Sequence, residues 1–351
     1  MAKVVVLGAG MMGSALCVPI LDRGHEVHLV GTHLDSEIID HLRKTGSHLK
    51  MKSALPEGFA GFYQHDEFDQ VMAGADVLVL GVSSAGVTWA GQKTAGHVGS
   101  GIPVISVSKG LVWDGKEFVL LPDVLASCWP EDIRNNVAPA AVVGPCIAGE
   151  LVRRVQTCVS FVSRERSVAV HLAELFHTPY YHVRPSDDLV GLEVCAALKN
   201  AYALAVGFGR GINERQGHGA GSVAMHNHEA AVFAQAAVEM AMLVDLLGGR
   251  PTAALGMPGV GDLFVTCQGG RTSRLGRWLG LGLSLPEAIE KMQGATLEAL
   301  DIISVISQAL PSLQDRGFIT QDDLPLMRHL CAIVNDGAPV DVPFGRFFGD
   351  L

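Results

Sequence analysis

The chain has 351 residues, more than one ordinary core accommodates, and its 48% hydrophobic against 18% charged residues describe a compact two-domain protein. A net charge of −10 excludes a nucleic-acid partner held through its phosphates, though not a small anion gathered by a local basic cluster. Seven scattered cysteines, odd in number and without CxxC spacing, exclude a disulfide framework and a structural zinc site and point to a reducing cytoplasm.

The N-terminus MAKVVVLGAG enters a strand at once and lacks the pattern of a signal peptide. Val4 to Gly8 is a continuous apolar run, as a strand buried on both faces requires. Met11 to Gly24 follows as a helix closing on glycine, with Pro19 a local irregularity, and Glu26 to Gly31 is the second strand. Ala75–Val82, Ile102–Ser108 and Pro139–Gly144 read as further strands, and Thr157–Ser163 and Tyr180–Ser186 complete the sheet. Strands spaced by helical segments imply an α/β, Rossmann-type doubly wound sheet over residues 1–186.

Beyond that point the pattern changes to an all-α C-terminal domain, residues 187–351. The acidic pair Asp187 and Asp188 suits the start of a long helix that runs past Gly207. Residues 222–249 form a second long helical run, and 284–292, 295–310 and 322–335 read as three more. Glycine-rich turns at 207–211, 217–221 and 256–263 are candidate cleft linings, because glycine lets backbone approach a ligand. No uninterrupted apolar run reaches the roughly 20 residues of a membrane span.

Two places carry chemistry. Gly8, Gly10 and Gly13 form G-x-G-x-x-G directly after a strand and opening a helix. The first glycine permits the tight turn, the second admits a pyrophosphate, and the third lets helix pack on strand. Met11 and Met12, at the head of that helix, join the cofactor-binding positions, where free N–H groups meet phosphate. The acidic residue expected at the end of the second strand is missing from VGTHLD. Gly31, Thr32 and His33 leave room for a 2′-phosphate to which Thr32 and His33 would donate, and Asp35 comes late for the ribose hydroxyls. The cofactor is therefore NAD or NADP. The second place is Lys199, one ammonium inside the small, apolar run LEVCAALKNAYALAVG. Burying an unpaired charge is costly, so the lysine either snorkels to water or works as a proton donor and acceptor.

With the N-terminal glycines, the segments VSKGL (107–111), ALKN (197–200) and GVGDLFVTCQGGR (259–271) make an ordered set. Together they resemble the NAD(P)-dependent glycerol-3-phosphate dehydrogenases, from residue 1 to about 300. That resemblance implies hydride transfer between dihydroxyacetone phosphate and sn-glycerol 3-phosphate, in a homodimer. It implies Lys199 as the proton-transfer lysine, Lys109 beside both cofactor and substrate, and Asp262 holding the reacting end and orienting Lys199. Arg271 and Thr272 would hold phosphate, Arg271 also reaching cofactor, and Asn200 would touch substrate. Gly144 and Cys146 occupy substrate-loop positions, while Ala148 and Glu298 contact cofactor. Asn227 falls where the family has a loop asparagine near substrate.

The chemistry agrees with these roles. Reducing a ketone builds negative charge on its oxygen, which a lysine in a partly dry site stabilises and then protonates. A phosphate wants a bidentate guanidinium and the N–H groups of a helix start. Two positions depart from the family: Arg-Thr stands for the usual Arg-Asn, and Cys146 for the commoner Asn, Ser or Thr. A register shift would make Arg274 the anion ligand instead. The alternatives are a dehydrogenase of another small hydroxy acid or polyol on the same architecture, and a sensor that binds NAD(P) without turnover. The presence of both Lys199 and Asp262 speaks against the sensor.

Other residues have plainer readings. His218, His226 and His228 lack the i, i+4 spacing of a helical metal pair and suit a solvated rim. Cys267 has no neighbouring histidine in the sequence and suits a small buried filler.

Overall fold

In the computed structural model, which describes residues 1–51, 53–99, 101–218 and 225–347, eight strands form one sheet. From one edge they run Tyr181–Ser186, Thr157–Ser163, Ala140–Val143, Val104–Ser106, Val77–Leu80, Lys3–Leu7, Glu26–Val30 and Gly61–Tyr63. Every neighbouring pair is parallel except Ala140–Val143 with Thr157–Ser163. In chain order the first six strands stand 3-2-1-4-5-6 across the sheet, the doubly wound arrangement. The order reverses between Lys3–Leu7 and Val77–Leu80, and ligands bind outside the carboxyl ends of strands at such a point.

The apolar run at the N-terminus is explained by burial on both faces. Val4 and Val6 face a cluster with Leu16, Ile20, Leu29 and Ile39. Val5 and Leu7, pointing the other way, join Phe68, Leu78, Leu80 and Trp129. Helix Met11–Asp22 keeps Pro19 in its buried part and ends ahead of Gly24, which takes φ 76°. Sequence reading passes over the edge strand Gly61–Tyr63 and the small hairpin Ser47–His48 with Ser53–Ala54. Both are too short to show a period.

The chain divides into two compact units, Met1–Lys109 with Leu120–Leu189, and Gly110–Val119 with Val190–Leu351. The segment Gly110–Val119, which sequence reading places in the first domain, thus groups with the helical unit. It carries most of a hairpin, Leu111–Trp113 with Phe118–Leu120. Its turn is closed by Asp114 Oδ1, which accepts from the amides of Lys116 and Glu117 at 2.8 Å each. The Lys116 carbonyl in turn accepts from Arg316 Nη1 at 2.9 Å.

The helical unit is built around Leu189–Arg215, 27 residues and on the order of 40 Å long. By length and composition it matches a membrane span, but 94% of its most apolar window is buried inside the fold. The expected glycine-rich turn at 207–211 is instead part of this helix. The glycines serve a close crossing with helix Arg271–Gly280. A Cβ on Gly207 would lie 2.6 Å from the Ser273 carbonyl oxygen, and one on Gly276 would lie 2.0 Å from that of Leu204. At the far end of the crossing, Arg277 grips Glu214 with Nε and Nη2, each bond 2.5 Å. That guanidinium holds the Glu214 carboxyl below its ordinary range.

A buried carboxylate that sequence reading missed ties three helices together. Glu239, in helix His226–Leu246, accepts from Tyr202 Oη at 3.1 Å and Gln235 Nε2 at 3.0 Å. It also accepts from the amides of Leu326 and Met327, at 2.7 and 2.9 Å, capping helix Pro325–Asp336. Burial nevertheless pushes its pKa up.

Candidate active site

The glycine motif sits at the reversal point of the sheet. Gly8 follows the strand Lys3–Leu7 at φ 115°, and a Cβ there would lie 2.7 Å from the Gly81 carbonyl carbon. A Cβ on Gly13 would lie 2.2 Å from the Gly8 oxygen. Both glycines are thus required by the fold itself. Gly10 is different: its nearest atom to an added Cβ is the Gly81 oxygen, 3.8 Å away. Gly10 is the N-cap of helix Met11–Asp22 and supplies no side-chain cap, and Met11 stands exposed with Met12 half-buried behind it. An open approach to uncapped N–H groups fits a dinucleotide pyrophosphate.

Beyond the second strand, Thr32, expected to donate to a 2′-phosphate, has its hydroxyl engaged within the protein. Its hydroxyl donates to Asp35 Oδ2 at 2.8 Å, and Thr32 is buried. The same oxygen accepts from the amides of Thr32 and Ala9, at 2.9 and 3.1 Å. Asp35 is thereby turned onto the glycine turn. His33 stays exposed, its ring edge-on to Trp89 at 5.2 Å.

Lys109 leaves the strand Val104–Ser106 through Ser108, whose hydroxyl donates to the Val82 carbonyl at 2.8 Å. Lys109 is half-buried and makes no side-chain hydrogen bond or ion pair among the described residues. Gly144, at φ 118°, ends the strand Ala140–Val143. Cys146 follows half-buried, and Ala148 opens the short helix Ala148–Val152 in the core.

In the helical unit, Lys199 and Asp262 meet. Nζ lies 2.5 Å from Oδ1, with side-chain exposures of 11% and 3%. The sequence places them there through the stretch Met257–Gly261, a π-type turn in which Gly259 takes φ −88°, ψ −105°. A Cβ on Gly259 would lie 2.0 Å from the Ala254 oxygen, so only glycine lets the chain fold back here. Asp262 then starts helix Asp262–Cys267 from its first turn, not as a capping residue. Its second oxygen, Oδ2, is buried and has no partner among the described residues. A buried carboxylate oxygen without a donor is a feature native proteins keep for a ligand or water.

Next along the helix, Asn200 is buried and its Nδ2 donates to Glu298 Oε2 at 3.0 Å. Glu298 is the first residue of helix Glu298–Asp315. Arg271 opens helix Arg271–Gly280 after Gly270, again an N-cap without a side-chain bond, with Thr272 buried behind it. Arg271 and Arg274 are both exposed and make no side-chain hydrogen bond among the described residues, whereas Arg277 is spent on Glu214. Thr266, one turn past Asp262 on the same face, donates its hydroxyl to the Asp262 carbonyl at 2.7 Å. The i, i+4 spacing from Asp262 is the signal that would have found it.

Other expectations settle more simply. Cys267 is buried and its thiol is pushed up to about 12 by that burial, which leaves no nucleophile. His228 is half-buried with its ring on Phe344, not on a solvated rim, while Asn227 is exposed at the helix start. Part of the turn at 217–221 lies outside the described residues.

A glycine turn at the reversal point of a doubly wound sheet, opening a helix, is the arrangement of a dinucleotide-binding domain. The family profile described as NAD-dependent glycerol-3-phosphate dehydrogenase matches in two parts, the N-terminus over residues 3–169 and the C-terminus over 188–344. The NADP(+)-dependent glycerol-3-phosphate dehydrogenase of Archaeoglobus fulgidus is 35% identical over 292 residues, 83% of each chain. The glycerol-3-phosphate dehydrogenase [NAD(P)+] of Shouchella clausii is 31% identical over 96% of this chain and 93% of its own. A crystal structure of glycerol-3-phosphate dehydrogenase from Coxiella burnetii superposes with a TM-score of 0.77 at 25% identity, covering 99% and 98% of the two chains. The chain belongs to the NAD(P)-dependent glycerol-3-phosphate dehydrogenase family. It is an oxidoreductase acting on a CH–OH group with NAD or NADP, which sets aside the sensor without turnover.

Proposed function

We propose that the chain reversibly reduces dihydroxyacetone phosphate to sn-glycerol 3-phosphate, with Lys199 as the general acid and base. The observation that carries this reading is the Lys199–Asp262 pair, 2.5 Å apart and nearly dry, with Asp262 Oδ2 left to accept from a hydroxyl. Bound reduced nicotinamide supplies the hydride. As the carbonyl carbon gains it, charge builds on oxygen; Lys199 Nζ stabilises that charge and gives up a proton to form the alcohol. In reverse, the neutral amine takes the proton back. Asp262 Oδ1 aims the ammonium, and Oδ2 takes the hydroxyl beside the reacting carbon.

Arg271, the Thr272 hydroxyl and the N–H groups at the head of their helix hold the phosphate. Binding energy from that remote group positions the carbonyl. Lys109 draws the anion, Gly144 and Cys146 line its loop, and Asn200 links substrate to Glu298. Gly8, Gly10, Met11, Met12, Gly13, His33, Ala148 and Glu298 serve the dinucleotide. Residues 1–186 form the dinucleotide domain and 187–351 the substrate domain, with the hairpin of 110–119 belonging to the second. A homodimer follows from the family resemblance, and a cytoplasmic location suits seven cysteines that form no disulfide among the described residues.

The test follows the near-ultraviolet absorbance of reduced nicotinamide with dihydroxyacetone phosphate, dihydroxyacetone and a carboxylate analogue. Turnover is expected with the phosphate ester alone. Turnover with only the carboxylate overturns the substrate assignment.

A further inference from the structure

The glycine turn is held from behind by a residue outside its motif. Ala9, in the middle of the turn, has both peptide groups engaged. Its N–H donates to Asp35 Oδ2 at 3.1 Å, and its carbonyl accepts from His48 Nε2 at 2.9 Å and from Ser14 Oγ at 3.2 Å. His48 is fully buried in the hairpin Ser47–His48 with Ser53–Ala54, 39 residues along the chain from Ala9. Its Nδ1 accepts from the amides of Lys50 and Met51, at 3.2 and 3.1 Å. A ring whose Nδ1 accepts amide protons carries its own proton on Nε2 and is neutral.

The consequence lies across one peptide bond. In a planar trans peptide the carbonyl oxygen and the next N–H point to opposite sides. Drawing the Ala9 oxygen toward His48 therefore turns the Gly10 N–H away from His48, and around Gly10 an added Cβ meets nothing closer than 3.8 Å. Ser14 already satisfies the buried carbonyl, so the second donor fixes the direction of the peptide plane.

We propose that His48 is a positioning residue for the dinucleotide pyrophosphate, presetting the Ala9–Gly10 peptide so that its N–H meets a phosphate oxygen. This rests on Gly8–Gly13 being the pyrophosphate site. His48 touches no ligand and acts through Ala9. A group so placed raises affinity for any ligand with a pyrophosphate and leaves a plain nucleoside untouched.

The experiment measures binding of NADH, ADP-ribose and adenosine by calorimetry to the wild-type protein and to His48→Asn, His48→Gln and Gly10→Ala. Asparagine keeps an acceptor for the hairpin amides but falls short of Ala9, while glutamine reaches Ala9 with a donor. Expected for His48→Asn is an about ten-fold loss for NADH and ADP-ribose, no change for adenosine, and recovery in His48→Gln. Wild-type affinity for NADH in His48→Asn overturns the proposal, and so does an equal loss for adenosine, which marks a merely structural role. If His48→Asn does not fold, the proposal stands on His48→Gln holding all three affinities near wild type and falls if glutamine loses NADH. Gly10→Ala separates the two readings: intact NADH binding there overturns the pyrophosphate site and the proposal with it. Lost binding there beside intact binding in His48→Asn overturns the proposal alone.

Discussion

Gly276→Ala tests how packing sets the site. An alanine Cβ would sit 2.0 Å from the Leu204 oxygen and 3.2 Å from the Gly207 Cα, all main-chain atoms of helix Leu189–Arg215. No side-chain rotation relieves this, and non-bonded heavy atoms settle near ~3.5 Å, so the two helices must part by up to roughly 1.5 Å. Overpacking of this kind costs about 1–3 kcal/mol. In a unit of this size that lowers the melting temperature by roughly 2–4 °C for each kcal/mol. The functional cost follows from geometry. Lys199 lies little more than one turn before Leu204, and Arg271 little more than one turn before Gly276, so parting the helices moves the phosphate arginine away from the acid/base lysine. Misplacement on the order of 1 Å costs up to about 100-fold in rate. Scanning fluorimetry and steady-state kinetics should show a lower melting temperature together with a kcat/KM reduced by about 10- to 100-fold. NADH affinity should persist, since the glycine turn belongs to the other unit. A variant with wild-type kcat/KM and wild-type melting temperature refutes the reasoning.

Lys199→Ala should lower kcat severely while NADH still binds by calorimetry; near-normal turnover removes the lysine from the mechanism. Arg271→Ala should mainly raise KM for the phosphorylated substrate, and the same rise in Arg274→Ala instead shows that the anion sits one turn further along the helix. Burial holds the pKa of His48 below its ordinary 6.5, an effect to which Lys50 and His41 add and which the Ala9 carbonyl and Asp35 oppose. The folded state therefore binds fewer protons than the unfolded one. Stability from the neutral ring is fully present above 6.5 and is lost as pH falls from there toward the lower folded value. His25, His228 and His329 are lowered by burial as well, so melting temperature should drop on the acid side, and His48→Asn should flatten that drop in part.

Much of this was legible in the sequence where a group acts through its own stretch of chain. Val4 to Leu7 reads as a strand because burial on both faces demands an unbroken apolar run. The glycines after it read as a ligand turn because strand, turn and helix are contiguous. Lys199 was visible only as a puzzle, and the carboxylate that answers it arrives from far along the chain by a turn at Gly259. What local spacing hides is partnership at a distance. Glu239 looks like any acidic residue on a helix until Leu326 and Met327 bring their amides to it. Thr32 looks like a free phosphate donor in the sequence, and the structure shows its hydroxyl donating to Asp35. Glycines are the sharpest case. Gly8, Gly10 and Gly13 are alike in a motif, but only Gly10 is spared by the fold, since the other two would bring a Cβ into main-chain atoms. Gly207 and Gly211 suggest a flexible turn and instead form the contact face of a helix. A glycine that the fold does not need is therefore the more informative one: at Gly10, the approach of a ligand is the requirement still unaccounted for.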